Sequence, residues 1–193
     1  GIVGCFYRTI AQYHLTPVPD DRLCRTIGLP MEDAVKQVTG LQSNEQIDAF
    51  IETYRRFADQ YMTPNTHFFP ETLPMLRSLR QNGAHTAIIS TKTRSRIAEK
   101  FQPEDARGLI DFIIGREDVS QPKPAPEGIL CAIARFAVPK EAVLYIGDSL
   151  MDAGAAQNAG TDFAAVTTGT TSPQEFQSFP HVKIMKSLAE LID

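Results

Sequence analysis

The stretch "VLYIGDSLMDAGAAQNAG", residues 143–160, decides the fold. An apolar run stops at Gly147, and two aspartates, Asp148 and Asp152, stand four residues apart before an alanine-rich segment. The pattern is a buried strand, a tight exit and a helix. It places the carboxylates at the carboxyl end of the strand, where open α/β sheets bind their ligands. A plainer reading also accounts for each aspartate: Asp148 caps the next helix, and Asp152 favours its positive N-terminus.

Further short apolar runs lie on either side. "HTAIIS" (85–90), "DFIIG" (111–115) and "DFAAV" (162–166) alternate with helical segments, and "VKIM" (182–185) reads as a fifth short strand. Continuous apolar runs of this length predict strands buried on both faces, in a parallel sheet built from βαβ units. "ETLPMLRSLRQNG" (71–83) reads as a helix ending on Gly83. "TTGTTSPQEF" (167–176) reads as a structural loop and a helix with a capping box from Ser172 to Glu175.

The first third follows the helical period instead. "IVGCFYRTIAQY" puts Ile2, Phe6, Ile10 and Tyr13 on one stripe. In "NEQIDAFIETYRRFADQYM", Ile47, Phe50, Ile51, Tyr54, Phe57, Ala58 and Tyr61 share a face, with Asn44 placed to cap. Shorter helices fit 19–26 and 31–39, the second stopped by Gly40. "TPNTHFFPE" (63–71) has the composition of a linker. The fold class is therefore α/β: a doubly wound parallel-sheet core over 67–193, joined to a small all-helical domain over 1–66.

Composition removes several function classes. With 42% apolar and 22% charged residues, the 193-residue chain has the make-up of a soluble globular protein. A net charge of −4 gives no electrostatic basis for binding nucleic acid or an anionic membrane. The densest basic stretch, Lys92, Arg94, Arg96 and Lys100, reads as a solvated helix face. Cys5, Cys24 and Cys131 fit neither a disulfide framework nor a zinc site, and point to a reduced, cytoplasmic setting. His14, His67, His85 and His181 show no zinc-hydrolase spacing. No apolar run approaches the ~20 residues of a membrane span, and no secretory signal pattern is present.

Three strand ends carry reactive groups. Ser90, Thr91 and Lys92 follow the first strand, Lys123 lies between two prolines in "SQPKPAPEG", and Asp148 and Asp152 follow the "VLYIG" strand. Singly, each has a structural explanation. Ser90 can cap a helix beginning near Thr93, and Lys123 can be a solvent lysine in a turn with Pro126 at the first helical position. Together they place a hydroxyl, an amine and a carboxylate pair on one rim of one sheet, the set that phosphoryl transfer requires. Lys123 and Ser90 would hold phosphate oxygens. Asp148 and Asp152 would hold Mg²⁺ directly or through water.

With "AIISTK", "QPKPAPEGI" and "YIGDSLMDAGAAQNAG", the chain resembles the haloacid dehalogenase-like superfamily, close to its phosphoglycolate phosphatase branch. The segment "IGLPMEDAV" resembles that branch's helical cap, and the likeness covers essentially the whole chain. The resemblance implies catalytic and phosphate-binding roles for Ser90 and Lys123, phosphate binding by Thr91, and Mg²⁺ on Asp148 and Asp152. It implies hydrolysis of a small phosphorylated metabolite through an aspartyl-phosphate, with cap closure excluding water. The net charge of −4 argues against a nucleic-acid or membrane partner, and monomer and homodimer both stay open.

The family's nucleophile motif, DxDGT on a central first strand, has no counterpart here. "PDD" (19–21) and "REDVS" (116–120) lack its spacing and its preceding strand. Removing a middle strand would leave two unpaired edges. It would also remove burial of ~1.5–3 kcal/mol per large apolar side chain, against a net domain stability of ~5–15 kcal/mol. The expectation is that roughly fifteen to twenty-five residues, one strand and one turn, precede Gly1 and carry the nucleophile. Among family activities, the intact Gly147–Asp148 pair disfavours a dehalogenase. Met31, where mutases carry a basic residue, weakens a mutase. A pyrophosphatase and a non-catalytic binding protein of the same fold stay as alternatives. Arg22, Arg25 and Lys36 are the polar candidates for substrate selection in the cap. Glu71 stands where relatives have glycine, and suits a first helical turn.

Overall fold

The computed structural model describes residues 1–62 and 66–192. The chain forms two compact units, Gly1–His67 and Phe68–Asp193. Of the linker expected over 63–71, residues 63–65 lie outside the described residues, 66–69 form no regular element, and 70–71 turn into the next helix.

The first unit holds four helices among its described residues: α1 (Ile2–Gln12), α2 (Asp20–Cys24), α3 (Met31–Thr39) and α4 (Asn44–Tyr61). The predicted stripes form its core. Phe6, Ile10, Leu23, Val35, Ile47, Phe50 and Tyr54 are buried together. The Phe6 ring lies 4.9 Å from Tyr54, and Tyr13 lies 5.5 Å from Phe50, between centroids. Thr9 is buried in the same helix because its hydroxyl donates to the Cys5 carbonyl at 2.8 Å. Gly40 ends α3 in the left-handed conformation, φ 75°, where its N–H reaches the Lys36 carbonyl. Two boundaries differ from expectation. The residue before α4 is Ser43, so Asn44 is the first helical residue, and neither side chain makes a cap hydrogen bond. The helix expected over 19–26 shortens to α2, after which Thr26 and Ile27 continue as turns.

The second unit alternates strands and helices: α5 (Thr72–Gln81), β1 (Ala87–Ile89), α6 (Arg94–Lys100), β2 (Phe112–Ile114), α7 (Glu127–Phe136), β3 (Leu144–Gly147), α8 (Leu150–Ala159), β4 (Asp162–Val166), α9 (Pro173–Phe176) and β5 (Lys183–Met185). Every strand pair is parallel. Gly83 takes φ 80° just beyond α5, as its place in the sequence requires. Glu71 precedes α5, and its carboxylate accepts from the Ser187 hydroxyl at 2.6 Å.

The described strands make two ladders rather than one continuous sheet. β1 pairs with β2, and β3–β4–β5 form a second group. Burial follows this division. β4 has a partner on each side, and Phe163 to Val166 are all buried, as its apolar run predicts. β1 has one partner and is only half-buried along its length, and Leu144 of β3 is 43% exposed. The expectation of burial on both faces therefore holds for β4 and fails for β1 and β3, because each of those has one edge without a ladder. α8 covers β3 and β4 with small residues. Ala153, Ala155 and Ala156 are fully buried, so the helix lies close to the strands.

Phe50 has no exposed surface and packs on the rings of Phe6 and Tyr13. Phe50→Ala is expected to cost about 3–5 kcal/mol, measured by urea unfolding followed through the helical circular dichroism signal. A loss within about 0.5 kcal/mol, the size of a surface change, would remove Phe50 from the core.

Candidate active site

The exit of β3 builds the site. Ser149 starts α8, and its hydroxyl accepts from the Asp152 amide at 3.3 Å. In return the Asp152 carboxylate accepts from the Ser149 amide at 3.2 Å and its hydroxyl at 2.5 Å. This is a capping box. Ser149, not Asp148, caps the helix, which frees the Asp148 carboxylate. Gly147 is required by the same turn: a Cβ there would lie 2.2 Å from the Asp152 Cβ.

Asp152 is 5% exposed, and all of its oxygens are engaged. Oδ2 takes the two Ser149 donors. Oδ1 accepts from Lys123 Nζ at 2.5 Å and from the Tyr145 hydroxyl at 3.1 Å. Lys123 is far from a solvent lysine, since its side chain is 16% exposed. Pro126 sits just before α7 rather than at its first position.

The Lys123 loop is clamped from several directions. Glu127 accepts from the Ser120 and Gln121 amides at 2.9 and 2.7 Å. Asn158 of α8 donates to the Pro124 carbonyl at 2.9 Å. Gly154 admits Pro124 to within 3.0 Å of where a Cβ would be. The loop thus rests on α8, and Lys123 points back beneath it toward Asp152.

Ser90, Thr91 and Lys123 line one small recess, together with Gly115 and Gln121. Ser90 Oγ accepts from the Lys92 amide at 3.1 Å, which forms a short turn. α6 starts after Thr93, so Ser90 does not cap it. Asp148 is open to solvent on one side, and on the other the Thr167–Ser172 loop presses Gly169 onto it. A Cβ on Gly169 would lie 2.6 Å from Asp148 Oδ2 and 2.8 Å from its carbonyl oxygen. The loop read as purely structural therefore touches the site.

Charge gathers here. The protein packed around Asp148 raises its carboxyl pKa, the nearby Asp152 charge adds to this, and Lys123 and Lys92 oppose it. Lys92 keeps exposed surface, yet crowding around its amine lowers its pKa; Asp148 opposes that shift, while Lys123 and Arg96 add to it. The other four residues predicted for the site thus fall around Lys123: Ser90 and Thr91 share its recess, Asp152 is bonded to it, and Asp148 feels its charge.

Within the helical unit, Arg22 donates to the Gln37 carbonyl at 2.9 Å, and Arg25 and Lys36 are exposed. Met31 packs on the helical core. Tyr145, Ser149, Asn158 and Glu127 were not singled out. The S-x-x-D spacing of Ser149 and Asp152 carries a readable capping signal. Tyr145 is two residues before Gly147, hence on the strand face that meets Asp152.

A hard cation takes oxygen ligands. Among the described residues no group of three or more His, Cys, Asp or Glu side chains is placed to share a metal ion. The donor chemistry fits Mg²⁺ only through Asp148, which accepts no hydrogen bond from another side chain among the described residues. Its other ligands would be waters and substrate oxygens. No helix among the described residues is long and apolar enough to cross a membrane.

The turn geometry is sensitive at Gly147. Gly147→Ala is expected to lower stability by about 1–3 kcal/mol, the cost of overpacking, and to be read as a fall in thermal midpoint. An unchanged midpoint would mean that α8 can move away from β3 freely.

The chain is similar to known proteins. A haloacid dehalogenase-like protein from Bacteroides fragilis, of known crystal structure, superposes with a TM-score of 0.94 at 43% identity, over 98% of this chain and 90% of that one. A relative from Dickeya dadantii named "Probable phosphatase IndB" is 26% identical over 196 residues, all of this chain and 85% of its own. A protein from Halalkalibacterium halodurans named pyrophosphatase PpaX is 22% identical over 192 residues, again all of this chain and 87% of its own. The family model described as haloacid dehalogenase-like hydrolase matches residues 1–166. The chain belongs to the haloacid dehalogenase-like hydrolases.

Proposed function

We propose that the protein is a Mg²⁺-dependent phosphatase acting on a small phosphate monoester, of the size and charge of phosphoglycolate. One observation carries the reading: Lys123 is held at the wall of a recess that also presents Ser90 and Thr91, with Asp148 beside it. A fixed ammonium and two hydroxyls suit phosphate oxygens, whose charge must be neutralised before a nucleophile approaches.

Within this reading each residue has one task. Lys123 donates to a phosphate oxygen. The Ser90 and Thr91 hydroxyls donate to others and fix the orientation of the ester. Asp148 holds the cation, with Asp152 acting on it through water and on Lys123 directly. Bound there, Mg²⁺ supplies positive charge against the phosphate oxygens. Attack of a carboxylate on phosphorus would break the bond to the ester oxygen, which leaves as the protonated alcohol, and water would then cleave the aspartyl-phosphate to free carboxylate and inorganic phosphate. Asp152 is unsuited to attack, because both its oxygens are engaged. We assign the nucleophile instead to an aspartate on a further strand, as the resemblance to the haloacid dehalogenase-like family implies.

Inorganic pyrophosphate is the second substrate to consider. A relative named pyrophosphatase matches the chain along its whole length, and a recess built for phosphate oxygens does not by itself choose between an ester and an anhydride.

The test is phosphate release by the native polypeptide, expressed from its complete reading frame, from phosphoglycolate, a panel of small esters and pyrophosphate. Turnover is expected to require Mg²⁺. Asp148→Asn and Lys123→Met are each expected to lower kcat/KM by about 10²-fold or more, as loss of an electrostatic contact to the transition state does. No turnover on any member of the panel would overturn the enzyme reading in favour of a phosphate-binding protein.

A further inference from the structure

Tyr145 has a role that neither the fold nor the family motifs assign. Its side chain belongs to β3, inside an apolar run, and the residue is 9% exposed. A buried phenol needs a partner for its hydroxyl. Here it has two, and both belong to the site. The hydroxyl donates to Asp152 Oδ1 at 3.1 Å and accepts from Lys123 Nζ at 3.5 Å. Lys123 also donates to that same Oδ1 at 2.5 Å, so ammonium, phenol and carboxylate form a closed triangle.

We propose that Tyr145 is a positioning residue for Lys123. Its hydroxyl fixes the direction of the ammonium and draws off part of the Asp152 charge, so that Lys123 keeps a donor for a phosphate oxygen. The proposal rests on the phosphatase reading for the identity of the anion, and on the triangle alone for the placement of the ammonium.

The donors of Lys123 can be counted. A lysine ammonium has three N–H donors on a flexible four-carbon stem. With Asp152 as sole partner, it could turn about that contact and stay neutralised by a single carboxylate. The phenol supplies a second fixed point, and two points define where the third N–H is directed. Lys123 lines the recess with Ser90 and Thr91, so the recess is where that donor is of use.

Asp152 is restrained in turn. It shares its charge among Lys123, Tyr145 and the two Ser149 donors, and its claim on the ammonium is weaker than a private ion pair. The phenol itself is buried on β3. The ring lies 6.5 Å from Phe163, stacked in the core, which holds the phenol independently of the polar contacts. Tyr145→Phe should therefore remove the hydroxyl and leave the packing.

The test reads Lys123 directly. In protein labelled with ¹⁵N-lysine, the Lys123 ammonium signal is assigned by its loss in Lys123→Met. In Tyr145→Phe that signal should shift and exchange faster with water. Affinity for inorganic phosphate, titrated on the same samples, should fall about tenfold, the size of one hydrogen bond to a charged group. In turnover assays the loss should appear mainly in KM, with the thermal midpoint close to wild type. If Tyr145→Phe does not fold, the reciprocal measurement replaces it: Lys123→Met should shift the Tyr145 ring signals. An unchanged ammonium signal in Tyr145→Phe, or in its place unchanged ring signals in Lys123→Met, would overturn the proposal. Absence of turnover in the wild type, with the ammonium signal still shifted in Tyr145→Phe, would overturn the phosphatase reading and sustain the positioning role.

Discussion

The ion pair between Lys123 and Asp152 joins the two halves of the site. Lys123 comes from the loop that leaves β2 for α7, whereas Asp152 comes from the first turn after β3. Each charge is largely removed from water, which is costly unless geometry and further hydrogen bonds compensate. The compensation is local. Ser149 and Tyr145 satisfy the remaining lone pairs of Asp152, so no oxygen is left unpaired. Removing either partner would leave a buried, uncompensated charge. For that reason the pair determines how the loop, β3 and α8 are assembled, beyond whatever it contributes to net stability.

Several glycines follow from this one contact. Asp152 can reach Lys123 only if α8 starts directly against the end of β3, and that requires Gly147 to have no side chain. The loop can lie on α8 only if Gly154 leaves room for Pro124, and Asn158 then holds the Pro124 carbonyl. The alanines of α8 serve the same closeness on the sheet side. The composition of "GDSLMDAGAAQNAG" is thus a record of distances: glycine where backbone meets side chain, alanine where helix meets strand, and polar residues at the few points facing the loop.

Much of this was legible in the sequence because it depends on local periodicity. The stripe through Ile47, Phe50 and Tyr54 fixed α4 and its buried face, and the run "DFAAV" fixed a buried strand. Ser90, Lys123, Asp148 and Asp152 could be placed on one rim because βαβ topology leaves no other end for the loops. What could not be read depends on contacts between segments distant in the chain. Tyr145 looks like one more apolar strand residue until Lys123, 22 residues away, is seen at its hydroxyl. Gly169 looks like a loop glycine until Asp148 is found against it. The equal standing given to the two aspartates also changes, since Asp152 is engaged on every lone pair by protein donors and Asp148 is not.

The uneven burial of the strands has the same physical origin as the division of the sheet. A parallel strand buries both faces only when neighbours and crossover helices enclose it. β4 meets that condition, whereas β1, β2, β3 and β5 each have a ladder on one side only among the described residues. Ser90 and Asp148 follow the ends of two of these outer strands, β1 and β3. The strands whose ends supply Ser90, Lys123 and Asp148 are thus outer strands, whereas β4, paired on both sides, supplies none of the three.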